Sequence, residues 1–121
     1  AWLVFATLGF YPAQPAHDAR WWQQAARRFY DAGANALLVD SKTAARPAGT
    51  GLAVDWSLAR AVVEAAPCPV ILAGGLNAEN VAAAIAAVSP YAVDVISSIE
   101  DAAHRKVRER VRAFIDAAMR R

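Results

Sequence analysis

Short apolar runs alternate with longer stretches of helical spacing along this chain. Trp2 to Thr7 is an apolar run closed by Gly9 and Pro12, and it reads as a buried strand. Ala16 to Ala32 carries apolar residues at i, i+4, i+8 intervals, Trp21-Ala25-Phe29 and Trp22-Ala26-Tyr30, with Gly33 as the stop. Ala36 to Val39 predicts a second strand that delivers Asp40 at its carboxyl end. Trp56 to Ala66 predicts a short helix with Asp55 near its start, broken by Pro67-Cys68-Pro69. Val70 to Ala73 is a third strand, Ala78 to Val88 a helix and Ala92 to Ile96 a fourth strand. The last helix, His104 to Arg121, places Val107, Val111, Phe114, Ile115 and Ala118 on one stripe.

The order is β-α-β-α-β-α-β-α, with no linker and no low-complexity segment. The expectation is therefore one α/β domain, 1–121, built on a parallel sheet. Residues 41–54 form a long loop with Pro47, Gly49 and Gly51, and loops of that length inside a compact domain are usually functional or disordered.

Candidate chemistry concentrates where the third strand ends. Val70-Ile71-Leu72-Ala73 runs into Gly74-Gly75, and Asn77 stands where a helix N-cap belongs. Glycines leave backbone N–H groups uncovered, and the dipole of the helix that follows favours negative charge in the turn. A phosphate suits such a turn; a tight βα connection without a ligand is the other reading.

Charge and composition narrow the classes. The net charge of +2 is too small to imply a nucleic-acid partner, although residues 101–121 hold seven Lys/Arg against three Asp/Glu. No apolar run reaches the roughly 18 residues that span a bilayer, so no membrane partner is expected. One cysteine permits no internal disulfide, and a cytoplasmic location is expected. His17 and His104 show no metal-ligand spacing, and no metal or cofactor is expected.

Several motifs then fall into a familiar order. Leu38-Val39-Asp40-Ser41-Lys42-Thr43, Ala48-Gly49-Thr50-Gly51, Val54-Asp55-Trp56-Ser57, Leu72-Ala73-Gly74-Gly75-Leu76-Asn77-Ala78-Glu79-Asn80-Val81 and Ala92-Val93-Asp94-Val95 resemble the phosphoribosylanthranilate isomerase family. That family catalyses an Amadori rearrangement in tryptophan biosynthesis on a (βα)8 barrel. The matching segments all belong to the second half of the barrel.

The resemblance implies roles for particular residues. Asp40 matches the general acid that protonates the ribose ring oxygen, and Asp94 matches the substrate-facing surface. Gly49, Thr50, Gly51, Gly74, Gly75, Asn77, Ser97 and Ser98 match the loops that hold substrate and phosphate. Ala48, Ile96 and Ser98 depart from the family's pattern, with Ser98 standing where a glycine is usual. The family's base is a cysteine on the first barrel strand, in the half this chain does not match. Cys68 precedes a strand and reads as structural.

A (βα)4 half of a TIM-type barrel leaves two strand edges and an inner face uncovered. The expectation is closure into an eight-stranded barrel by homodimerisation, with a separate N-terminal half barrel as another partner. A flattened, flavodoxin-like sheet with helices on both faces is the structural alternative. The ligand expected is phosphate or a phosphorylated sugar. The functional expectation is an isomerase-like half barrel, weakly active or inactive alone; the alternative is a non-catalytic self-assembling module with vestigial phosphate loops.

Overall fold

The structure, a computed structural model, describes residues 5–9, 18–40 and 52–120. Strands β1 (Phe5–Gly9), β2 (Ala36–Asp40), β3 (Val70–Ala73) and β4 (Ala92–Val93) run parallel in the order β1-β2-β3-β4. Helices α1 (Ala19–Asp31), α2 (Leu52–Ala65) and α3 (Val81–Val88) connect them in turn, and α4 (Arg108–Ala118) follows β4. Successive right-handed crossovers that all step the same way place every helix on one face of the sheet. In keeping with this, α1 packs on α2, α2 on α3 and α3 on α4. A flavodoxin-like sheet would carry β1 between β2 and β3, so the observed order excludes that alternative.

The core lies between the strands and this layer of helices. Leu37 and Val39 of β2 and Val70 and Leu72 of β3 point into it, against Trp22, Ala26, Val62, Val81, Ala84, Val88 and Phe114. Burial of each large side chain stabilises the fold by about 1.5–3 kcal/mol. By the alternation of a strand, Leu38, Asp40, Ile71 and Ala73 belong to the opposite face. No helix among the described residues covers that face.

Element boundaries follow local chemistry. Helix α1 begins at Ala19 and not Ala16, because Asp18 caps it: its Oδ1 accepts the Trp21 N–H at 3.0 Å. The chain leaves α1 through Gly33 at φ +110°, a conformation that glycine adopts without penalty. Helix α2 begins at Leu52, four residues before Trp56, so Asp55 sits inside its first turn. β4 is shorter than the expected Ala92–Ile96, with one further ladder bond from the Asp94 N–H to Leu72 O at 2.8 Å.

The last helix starts at Arg108, not His104. His104 takes φ +59°, and residues 100–107 fold back on themselves through the bridge between Glu100 and Lys106. Lys106 Nζ lies 2.5 Å from Glu100 Oε1 and Arg110 donates to Glu100 O, so the loop is pinned ahead of the helix. Phe114 and Ala117 form the buried stripe of α4, whereas Ile115 is 53% exposed. Spacing alone put Ile115 on the core face, but one residue past Phe114 is a rotation of about 100° onto the helix flank.

Candidate functional site

Parallel strands deliver their carboxyl ends to one edge of the sheet, where three of the expected elements meet. Asp40 is the last residue of β2 and pairs in register with Gly9 on one side and Ala73 on the other. β3 pairs Leu72 with Val93, so Ala73 and Asp94 fall in the next register position. Asp40 and Asp94 thus share a layer on the inner face of the sheet with β3 between them. Two strand spacings place their backbones about 10 Å apart. Asp40 is half-buried and Asp94 exposed.

After β3 the chain turns through Gly74 at φ +94° and Gly75 at φ +68°, both in the left-handed region. The glycines at these positions avoid the Cβ clash that would strain other residues. The turn is stitched to α3 by two asparagines. Asn77 Oδ1 accepts from the N–H groups of Glu79 and Asn80, both at 2.9 Å, and Asn80 Oδ1 accepts from the Asn77 N–H at 2.8 Å. Asn80 Nδ2 also donates to Gly75 O at 3.0 Å. Regular helix therefore begins at Val81 and not Ala78, and Asn77 organises a preceding turn. The role of Asn80 was missed from the sequence, although N-x-x-N has the spacing of a reciprocal capping box.

Beyond β4 a 3-10 turn, Ser97–Ile99, brings the next loop alongside. Ser98 Oγ donates to Leu76 O at 2.7 Å and so ties the two loops together, while Ser97 is exposed. The hydroxyl hydrogen of Ser98 is thereby directed at a carbonyl. Gly74, Gly75, Asn77, Ser97 and Ser98 are thus gathered at the ends of β3 and β4. Gly49, Thr50 and Gly51 lie outside the described residues.

Charges flank this edge. Hydrogen bonding from Lys106 holds the Glu100 carboxyl below the usual range, and His104 Nδ1 lies 3.2 Å from its other oxygen. The backbone N–H groups of Arg105 and Ala103 do the same for Asp101. Cys68, the chain's one cysteine, lies before β3 at the opposite end of the sheet from Asp40, packed against the core; burial pushes its thiol upward. Among the described residues no group of three His, Cys, Asp or Glu gathers to hold a metal, and no helix is long and apolar enough to cross a membrane.

Parallel strands in sequential order, one layer of helices and a carboxylate beside a glycine turn at the strand carboxyl ends define a (βα)4 half of a TIM-type barrel. The sequence profile of the N-(5'-phosphoribosyl)anthranilate isomerase family matches residues 11–117, and the chain belongs to that family. A relative from Azotobacter vinelandii is 50% identical over 91 residues, covering 75% of this chain and 43% of its own length. The phosphoribosylanthranilate isomerase of Thermotoga maritima superposes with a TM-score of 0.72 at 32% identity, over 96% of this chain and 51% of its own. A phosphoribosylanthranilate isomerase solved in complex with reduced 1-(o-carboxyphenylamino)-1-deoxyribulose 5-phosphate superposes with a TM-score of 0.66 at 28% identity, over 96% of this chain and 48% of its own. The chain spans less than half the length of the curated relatives it matches.

Proposed function

We propose that this chain supplies the acid and the phosphate loops of a phosphoribosylanthranilate isomerase site and works only with a second half barrel that supplies the base. The observation that carries this reading is the position of Asp40: last residue of β2, on the inner face, one strand from the Gly74-Gly75 turn. The phosphorylated compound held by one structural neighbour supports a sugar phosphate as the ligand.

In this reading the Asp40 carboxyl gives its proton to the ribose ring oxygen. The bond from that oxygen to the anomeric carbon breaks, and the anthranilate nitrogen takes up the positive charge as an iminium. A base then removes the proton from the neighbouring carbon, its electron pair neutralises the nitrogen, and the enol so formed tautomerises to the aminoketose. The acid and the base each contribute roughly 10²–10⁴-fold in typical enzymes. Asp94, in the same layer, faces the substrate. The Gly74-Gly75 turn and Ser97 anchor the phosphate, and Asn77 and Asn80 hold that turn in shape. The position of Cys68, before β3 and at the opposite end of the sheet from Asp40, supports a base supplied from outside this half barrel.

A second reading, a non-catalytic module with vestigial phosphate loops, is favoured by the Ser98 hydroxyl being directed at Leu76 O. Titration with the reduced carboxyphenylamino-deoxyribulose phosphate, followed by backbone amide shifts, separates the two. Shifts at Asp40, Gly74, Gly75 and Ser97 support the isomerase reading. Silence at all four in millimolar ligand would favour the module.

A further inference from the structure

We propose that Glu100 is a positioning residue for the anion site: it locks the Ser97–Ile99 turn to α4 and so sets where Ser97 and Ser98 stand against the Gly74-Gly75 turn. This deepens the proposed function above and rests on its reading of those two turns as the phosphate anchor.

A three-residue 3-10 turn has too few internal hydrogen bonds to hold its own orientation. What fixes Ser97–Ile99 must come from outside it. On one side, the Ser98 hydroxyl bond to Leu76 O ties the turn to the loop after β3. On the other side, every polar group of Glu100 is engaged. Its N–H donates to Ser97 O at 3.2 Å and closes the turn. Its carbonyl accepts from Arg110 of α4. Its Oε1 meets Lys106 Nζ at 2.5 Å, and its Oε2 lies 3.2 Å from His104 Nδ1. The Val107 N–H adds a further tie to Ile99 O at 2.8 Å.

One residue thus carries bonds to the turn before it, to the loop after it and to the helix beyond. The Glu100 side chain is 11% exposed, against 52% for Lys106 and 89% for His104. The carboxylate is the inner member of the cluster, and the cations reach in to it from solvent.

Charge gives this role a distinctive sign. Hydrogen bonding from Lys106 keeps Glu100 ionised at neutral pH, three residues from Ser97. By its field alone such a carboxylate repels a bound anion, so removing it should tighten phosphate binding. Positioning predicts the reverse wherever the replacement cannot hold Lys106.

The test titrates the intact chain with inorganic phosphate, by calorimetry and by the amide shifts of Gly74, Gly75 and Ser97. Glu100→Ala should weaken binding about tenfold, the loss of one well-placed hydrogen bond to a charged ligand. Glu100→Asp keeps the charge but is one methylene too short to hold Lys106, and it should weaken binding as well. Glu100→Gln drops the same charge as Glu100→Ala yet keeps an acceptor oxygen for Lys106, so it should bind phosphate at least as tightly as the wild type. Arg60→Ala removes a bond to Ser89 Oγ at the far end of α3; it should lower Tm and leave phosphate binding unchanged.

Equal affinity of Glu100→Ala and Glu100→Gln would overturn the inference, because both lack the charge and only one keeps the reach. Wild-type affinity in Glu100→Asp would overturn it too. A wild-type chain silent to phosphate, in which Glu100→Ala still shifts the Ser98 and Leu76 amides, would defeat the functional reading and leave the positioning of the two turns standing.

Discussion

Asn77 and Asn80 each accept a hydrogen bond from the other's backbone N–H, at 2.9 and 2.8 Å, and Asn80 reaches back to Gly75 O. The pair fixes the glycine turn relative to α3. Asn80→Ala removes both its side-chain bonds and should cost about 1–2 kcal/mol, read from denaturant unfolding. Asn77→Asp keeps the acceptor oxygen and should cost far less than Asn77→Ala. Equal stability of all three variants would mean that the exchange contributes nothing.

Ser98→Gly should separate two properties that the wild type couples. Losing the hydroxyl bond to Leu76 O removes the tie between the loops, at about 1 kcal/mol. The backbone becomes more approachable at the same time, so inorganic phosphate should bind more tightly as Tm falls. Calorimetric titration beside a melting curve checks both; weaker phosphate binding would show that the hydroxyl itself contributes to the ligand site.

The loop ahead of α4 should weaken in acid. Glu100 and Asp101 both have folded-state pKa values lowered by their partners. Their contribution is therefore present above the unfolded carboxylate range of about 4 and lost as pH falls below it. Amide protection factors of residues 100–108, corrected for the intrinsic slowing of exchange in acid, should fall across that window, and Glu100→Gln should flatten the fall. An unchanged profile in the variant would remove Glu100 from the account.

Cys68→Ala should leave the isomerase turnover of an assembled site unchanged, because the thiol lies at the amino-terminal end of β3. Stability should fall by no more than about 1 kcal/mol for so small a change of volume. A loss of turnover without a loss of stability would place Cys68 in the chemistry.

Strand β3 was legible to the residue, because an apolar run stands between Pro69 and Gly74, two punctuating residues of opposite effect. Asp40 was legible for a similar reason, as the first charge after a buried run. β4 was overestimated: Val93 and Val95 continue the apolar alternation, but the ladder ends once the chain turns toward Ser97. The start of α4 was hidden, since Glu100 reaches its partners Lys106 and Arg110 through a folded-back loop that periodicity cannot register. Ile115 shows the same limit. Its spacing fits both the core stripe and the flank, and only the direction in which the sheet is wound tells them apart.

Isomerase turnover of this chain, alone and with an unlike amino-terminal half of the family, tests the central claim most directly. On the proposed reading the chain carries the acid and not the base, so alone it should turn over several orders of magnitude more slowly than a full-length relative. Adding the half that carries the cysteine should raise the rate, and Asp40→Asn should abolish that gain while the complex still forms. Robust turnover by the chain alone, or a gain that survives Asp40→Asn, would contradict the account.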